Sequence, residues 1–423
     1  MVSDTTGTAG GPGAMPPGEP GFTTPARDAS LLERALFEVK RVIVGQDRMI
    51  ERMLVCLLSR GHCLLEGVPG VAKTLAVETL AAVAGGTFSR LQFTPDLVPA
   101  DIVGTRIYRS GSERFDTELG PVFANFVLTD EINRAPAKVQ SALLEVMAEQ
   151  QVSIGGTTYP MPQPFLVLAT QNPIESEGVY PLPEAQRDRF LMKVVVDYPT
   201  GEEEREIVYR MGVEPPVPDQ VLQPADLLRL QRSASRVFVH HALVDYVVRV
   251  VLSTRTPADH GMADVAGWVA YGASPRASLG MIAAARALAL MRGRDYVLPQ
   301  EVLDIAPDVL RHRLVLSYDA LADGVPADHV VRRVLQTVPL PQVTPRQRAG
   351  AGPVGQSAAG YQPAGGPYAP QGSQRAGRGY PSDVLGPASG QTASGQTAPG
   401  QTAPGQTAPD SGRSEPDSRE RSA

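Results

Sequence analysis

Hydrophobic residues first recur with helical spacing after residue 30. Ser30 and Glu33 form a capping-box pattern, which predicts that a helix starts at that serine. A second helix is predicted around residues 50–58, where apolar residues follow a helical period and Gly61 can end it. A short apolar strand over residues 62–66 then runs directly into a glycine-rich loop.

From that loop to residue 196, short apolar strands alternate with helical patterns. This alternation is typical of an α/β fold in which helices cover both faces of a parallel sheet. Glycine-containing turns at 110–112 and 155–156 predict two inserted hairpins that project from the core. The predicted strands cover residues 87–93, 125–129, 165–170 and 192–196, and the predicted helices cover 73–84, 136–148 and about 184–190.

The pattern changes after Pro199. Thr200 and Glu203 form another capping box, and further helices are predicted at 224–237, 241–254, 275–292 and 299–310 without convincing strands. The two ends of the chain are rich in Gly and Pro, and residues 390–409 repeat a five-residue unit that cannot bury a core. We therefore predict four parts: a disordered segment (1–27), an α/β domain (28–198), an all-helical domain (199–342) and a disordered low-complexity tail (343–423).

Charge and cysteine content narrow the class of protein. The formal net charge is −6, and because the tail from residue 345 holds seven Arg and five acidic residues, the remainder carries −8. A clustered basic surface for nucleic acid is therefore not expected. No long apolar run or secretory signal pattern is present, and Cys56 and Cys63 are expected to be small buried side chains. These features predict a cytoplasmic protein without membrane insertion.

The most specific motif lies between the strand at 62–66 and the helix at 73–84. Gly67-Val68-Pro69-Gly70-Val71-Ala72-Lys73-Thr74 fits the phosphate-loop pattern G-x-x-x-x-G-K-[ST], with Ala72 where glycine usually stands. Such loops surround a β-phosphate with backbone N–H groups, while the lysine reaches the β and γ oxygens and the hydroxyl binds Mg²⁺. ATP and Mg²⁺ are therefore the expected ligands, and Leu75 completes the nucleotide-binding segment. Ala72 is expected to hold helix-compatible dihedral angles, with Gly70 supplying the flexibility.

A phosphate loop also needs an acid that holds the metal and a base that steers water. Asp130 and Glu131 follow the apolar strand at 125–129, so Asp130 is predicted to hold Mg²⁺ and Glu131 to polarise the attacking water. Alone, such a pair could be a simple helix N-cap. Beside a phosphate loop, the catalytic interpretation is favoured.

With these residues in place, the chain from about residue 30 to 340 resembles the MoxR family of AAA+ ATPases. The resemblance rests on residues 130–135 with 140–145, on the insertion at 93–101, and on the segments 169–173 and 182–190. It implies that Asn172 orients the hydrolytic water and that Arg189 is the arginine finger, although Arg187 competes for that role. It also implies that Arg276 is a second sensor reaching the γ-phosphate from the lid, and that Val44 and Gly45 contact the adenine side.

The resemblance further implies an α/β nucleotide-binding domain followed by a helical lid, in a ring that is most often a hexamer. Such rings act as chaperone-like remodelling ATPases, frequently on proteins with von Willebrand factor A-type domains. The hairpins at 107–117 and 150–160 would then contact the client. Two alternatives stay open at this point: an ATP-binding scaffold that does not hydrolyse, and a nucleic-acid motor with the same fold.

Overall fold

The computed structural model describes residues 25–111, 113–173, 178–212 and 214–341. The first part of the chain has the predicted alternation of helices and strands. In chain order its elements are α1 (Pro25–Val42), α2 (Asp47–Leu58), β1 (Cys63–Gly67), α3 (Lys73–Ala84), β2 (Phe88–Gln92), α4 (Pro99–Val103), β3 (Gly104–Arg109), β4 (Arg114–Leu119), β5 (Phe126–Asp130), α5 (Ala137–Glu149), β6 (Gln151–Ile154), β7 (Thr157–Pro160), β8 (Leu166–Gln171), α6 (Glu184–Arg187) and β9 (Met192–Val196).

Five of these strands form one parallel sheet in the order β2-β5-β8-β1-β9. The inner strands β5 and β8 are almost wholly buried, which explains their nearly continuous apolar sequences. In a parallel sheet all carboxyl ends lie at one edge, so Gly67 of β1, Asp130 of β5 and Gln171 of β8 end there together. The parallel sheet predicted from the alternating pattern is confirmed.

Both inserted hairpins are also present. Strands β3 and β4 pair antiparallel from Gly104↔Leu119 to Arg109↔Arg114, and β6 pairs with β7 around Gly155 and Gly156. The two hairpins contact each other, because the Tyr159 hydroxyl donates to Thr117 Oγ1 at 3.1 Å. Ser112, part of the first predicted turn, lies outside the described residues.

The second part of the chain is built mainly of helices. The predicted capping box is formed, since Thr200 Oγ1 accepts from the Glu203 backbone N–H and the Glu203 carboxylate accepts from that of Thr200. A short antiparallel ladder, absent from the sequence prediction, joins two segments of only three and two residues. The elements are α7 (Gly201–Met211), α8 (Pro224–Arg236), α9 (His241–Arg255), α10 (Ala263–Ala266), β10 (Val269–Tyr271), α11 (Pro275–Met291), α12 (Pro299–Leu310), β11 (Val315–Leu316), α13 (Tyr318–Ala322) and α14 (Ala327–Thr337).

Buried ion pairs hold the helical part against α2. The Asp308 carboxylate on α12 is fully buried and accepts from Arg48 at 2.9 Å and from Arg52 at 2.8 Å, both on α2. Arg311 donates to its other oxygen at 2.9 Å. A buried carboxylate needs such compensation, so this cluster ties the two parts of the chain together.

The start of the first helix differs from the prediction. Helix α1 starts at Pro25 instead of Ser30, so residues 25–27 of the segment predicted as disordered are helical. The helix starts earlier because of a tertiary contact: Asp28 in its first turn is buried and pairs with Arg229 of α8. Residues 1–24 and the tail from 342 lie outside the described residues, and the division at residue 198 stays a prediction. No helix among the described residues is long and apolar enough to cross a bilayer.

Candidate functional site

The phosphate loop connects β1 to α3, and its backbone explains its sequence. A side chain at Gly67 would lie 2.4 Å from the Val196 carbonyl oxygen of the neighbouring strand, so only glycine fits there. Gly70 has φ +83°, which favours glycine. Ala72 has φ +60° and ψ 21°, a left-handed conformation, so the prediction that it would hold helix-compatible angles is wrong. The loop therefore has two residues in left-handed conformations, Gly70 and Ala72, and the alanine adopts this conformation despite its steric cost.

Lys73 is the first residue of α3, and its ammonium group lies over the loop. Its Nζ donates to the Gly67 carbonyl oxygen. Burial lowers the pKa of Lys73, while the nearby charges of Asp130, Glu131 and Glu66 oppose that shift. The side chain therefore places a positive charge between the loop and the two predicted catalytic carboxylates.

Asp130 and Thr74 meet at the end of β5. The Thr74 hydroxyl lies 3.4 Å from Asp130 Oδ2, and Thr170 Oγ1 donates to Asp130 Oδ1 at 2.6 Å. A hydroxyl and one carboxylate fit Mg²⁺, which prefers oxygen ligands and takes the rest from phosphates and water. The described residues contain no cluster of three or more His, Cys, Asp or Glu side chains that could hold a metal by itself.

Glu131 directly follows Asp130 and adopts a strained backbone conformation, with φ +57°. Its backbone N–H donates to Thr170 Oγ1 at 2.9 Å, so one threonine fixes both acidic residues. Its carboxylate accepts a hydrogen bond from Gln92 at 2.9 Å and forms an ion pair with Arg134 at 2.9 Å. A non-glycine residue in this conformation is maintained only where surrounding contacts hold it, which is common at functional sites.

The predicted water-orienting residue follows the neighbouring strand. Asn172 comes directly after β8 and is buried, with 8% of its surface exposed. It therefore lies at the same sheet edge as Gly67 and Asp130.

The two candidate finger arginines lie further along the chain. Helix α6 ends at Arg187, so Arg189 follows the helix instead of lying on it as expected. Arg187 pairs with Glu184 at 3.2 Å. Arg189 is exposed, and its Nη1 donates to the Leu144 carbonyl oxygen of α5 at 2.6 Å. The two guanidinium groups thus have different partners.

Arg276 lies in the first turn of α11 and pairs with Asp188 across the two parts of the chain. The Arg276–Asp188 distance is 3.3 Å, and Ser274 donates to the same Asp188 oxygen at 2.8 Å. Buried Arg313 donates to the other oxygen at 2.8 Å. The predicted sensor Arg276 is therefore paired with the residue that directly precedes Arg189.

The predicted adenine-side residues lie near the start of α7. Val44 is buried and Gly45 has φ +65°. A side chain at Gly45 would lie 2.5 Å from the Glu203 carboxylate, so this turn packs tightly against the helical part of the chain. In the loop itself Pro69 and Gly70 are exposed, whereas Val71 is buried and Val68 and Leu75 pack against the core.

Comparison with known proteins identifies the family. The model of the ATPase family associated with various cellular activities (AAA) matches residues 62–192, and the AAA lid domain model matches residues 263–334. The chain is 71% identical to Chaperone MoxR1 of Mycobacterium tuberculosis over 346 residues, which cover 81% of this chain and 91% of that protein. It belongs to the MoxR family of AAA+ ATPases. Protein MoxR of Paracoccus denitrificans is 35% identical over 323 residues, covering 71% of this chain and 93% of that protein.

A solved structure of similar fold agrees with this assignment. A crystal structure of a protein from Cytophaga hutchinsonii, described as an ATPase, matches with a TM-score of 0.72 and 44% identity, covering 75% of this chain and 97% of that one. The expected MoxR-type architecture, an AAA domain followed by a lid, is therefore confirmed.

Sequence reasoning missed three residues of this MoxR-family site. The sequence places Thr170 in a predicted strand and gives it no role, yet its hydroxyl hydrogen-bonds to both Asp130 and Glu131. Arg90 and Gln92 lie in the predicted strand 87–93, and the sequence gives them no role either. Their polar character at alternate positions of a strand was the available signal, since alternate side chains share a face.

Proposed function

We propose that this chain hydrolyses ATP to ADP and phosphate in the phosphate-loop site, with Mg²⁺ as cofactor. The observation that carries the proposal is the convergence of Lys73, Thr74, Asp130 and Glu131 at one edge of the parallel sheet. Phosphoryl transfer requires mainly positioning and charge stabilisation, which this arrangement of groups is suited to supply.

Each residue has a distinct role. Lys73 neutralises charge on the β and γ oxygens, and backbone N–H groups of the loop bind the β-phosphate. Thr74 and Asp130 would hold Mg²⁺, which when bound neutralises further charge on the phosphate oxygens. Glu131 accepts a proton from the attacking water, and Asn172 orients that water.

Hydrolysis depends on assembly into a homo-oligomeric, hexameric ring. Arg189 is exposed in the single chain, which suits a residue that acts on the nucleotide of a neighbouring subunit. An arginine finger supplied in this way raises the rate by roughly 10³ to 10⁵. Arg276 leaves Asp188 and contacts the γ-phosphate when nucleotide is bound.

The ring acts as a cytoplasmic chaperone-like remodelling factor for partner proteins, including ones with von Willebrand factor A-type domains. The name of the mycobacterial relative, Chaperone MoxR1, supports this role. The exposed aromatic side chains Tyr108 and Phe115 on the β3–β4 hairpin supply a client-facing surface. No observation favours the scaffold or nucleic-acid alternatives.

The proposal is tested by measuring ATP binding and phosphate release for wild type, Lys73→Ala and Glu131→Gln. Glu131→Gln should bind ATP within about twofold of wild type and release phosphate at least about 100 times more slowly, as expected for loss of a general base. Lys73→Ala should lose both activities. Glu204→Gln, an exposed change on α7, is the matched control.

Normal turnover by Glu131→Gln would refute the role of that residue. ATP binding without hydrolysis by the assembled wild type would favour the scaffold instead.

A further inference from the structure

The edge strand β2 provides two side chains to the acidic end of β5. Gln92 is in register with Asp130 and Arg90 with Leu128, so both side chains point to the same face of the sheet. Arg90 Nη2 donates to Asp130 Oδ2 at 2.8 Å, and Gln92 Nε2 donates to Glu131 Oε2 at 2.9 Å. Each acidic residue thus has its own partner on β2.

The Arg90 contact involves the carboxylate oxygen nearest the metal-binding hydroxyl. Asp130 Oδ2 is 2.8 Å from Arg90 and also 3.4 Å from Thr74 Oγ1. A guanidinium group and a divalent cation repel each other and cannot both neutralise this oxygen at close range. Arg90 therefore stands where a metal bound by Thr74 and Asp130 has to compete.

The Arg90–Asp130 ion pair can be broken at little cost, which would allow a metal ion to replace the guanidinium group. The Arg90 side chain is 49% exposed, so solvent weakens its attraction to Asp130 and the guanidinium can move into water at little cost. Asp130 itself is only 14% exposed and keeps its hydrogen bond from Thr170. Loss of Arg90 should therefore leave the carboxylate in place.

We propose that Arg90 holds Asp130 in the nucleotide-free protein and competes with Mg²⁺ for it, which makes Arg90 a positioning residue for metal entry. This inference rests on the proposed function. Arg90 would yield Asp130 less readily to free Mg²⁺ than to Mg²⁺ bound with ATP, because the phosphate oxygens would add ligands that strengthen metal binding. Arg90 thus couples metal binding to nucleotide binding.

The test is a titration of Mg²⁺ with binding of a fluorescent ATP analogue as the readout, in wild type, Arg90→Ala and Arg90→Lys. Because an exposed ion pair contributes up to about 1 kcal/mol, the half-saturating Mg²⁺ concentration should fall about two- to fivefold in Arg90→Ala. Arg90→Lys, which keeps the charge, should stay near wild type. Binding of the analogue in EDTA should be unchanged.

Arg109→Ala is the matched control, because Arg109 is also an exposed strand arginine paired with an aspartate, Asp116, at 2.8 Å. It should not change the Mg²⁺ requirement. A purely structural role of Arg90 would alter thermal stability but leave the Mg²⁺ titration where it is, and that result would overturn the proposal.

Two further outcomes separate this proposal from the proposed function. A higher Mg²⁺ requirement in Arg90→Ala, or weaker binding in EDTA, would mean that Arg90 assists ligand binding, and would overturn the competition. If Lys73→Ala bound the analogue as well as wild type does, the proposed site itself would fail, and this inference would fail with it.

Discussion

Protonation of His62 should destabilise the protein in mild acid. His62 lies just before β1 and is buried between strands and α5. Its Nδ1 accepts from the Val167 backbone N–H at 3.0 Å, and its Nε2 lies 3.2 Å from the Met147 carbonyl oxygen. A neutral ring with its proton on Nε2 satisfies both partners. An imidazolium would place a second N–H against that of Val167 and a charge in the core.

The size of the stability loss follows from the pKa shift of His62. Burial lowers the pKa of His62 from 6.5 to about 4, against a smaller opposing effect of the Met147 hydrogen bond. Because the folded-state pKa is below the unfolded one, the unfolded chain binds more protons between pH 6.5 and 4, and stability falls as pH falls through that window. At about 1.4 kcal/mol per pH unit, the loss is about 2 kcal/mol by pH 5 and about 3 kcal/mol in all.

The assay is guanidinium unfolding of wild type and His62→Asn from pH 7.5 to 5. The variant should be less stable at pH 7.5, but the gap should close by about 2 kcal/mol at pH 5, because the asparagine does not titrate. His260→Asn, an exposed histidine change, should follow the wild-type curve. Parallel curves for wild type and His62→Asn would refute the reasoning.

Three stability predictions follow from single contacts, each checked by guanidinium unfolding at pH 7.5. Ala72→Gly should stabilise the protein by about 0.5 to 1 kcal/mol, because glycine removes the strain of the left-handed conformation. Ala82→Gly, on the exposed face of α3, should instead destabilise the protein by about 1 kcal/mol. Changes of the same sign in the two variants would contradict this reasoning. Thr200→Ala should cost about 1 kcal/mol by removing a helix cap, and no loss would exclude that cap as a stabilising element. Asp308→Asn should cost about 3 kcal/mol, because it removes the buried negative charge that pairs with Arg52; a neutral effect would refute that.

The main elements could be predicted because their sequences carry strong periodic signals. The strands β5 and β8 are continuous apolar runs, and helix α3 occupies the predicted residues 73–84. The phosphate loop and the Asp130–Glu131 pair were found because each couples a motif to a strand end. Local pattern was sufficient where the structure depends on local sequence.

What the sequence could not predict depends on contacts between distant segments. The start of α1 at Pro25 depends on the Asp28–Arg229 pair, which links residues 201 positions apart. The role of Arg90 depends on β2 lying next to β5. This adjacency comes from the order of the strands in the sheet. The left-handed angle of Ala72 was missed because residue type alone argues against it.

The measurement that tests the central claim most directly is ATP turnover against protein concentration, for wild type, Arg189→Ala, Glu131→Gln and an equal mixture of the two variants. Turnover should rise with concentration in wild type and be lost in each variant. It should partly return in the mixture, because an Arg189→Ala subunit keeps Glu131 and receives an intact arginine from its neighbour. Arg187→Ala should retain activity. Turnover that is independent of concentration and survives Arg189→Ala would contradict a ring ATPase with a shared site.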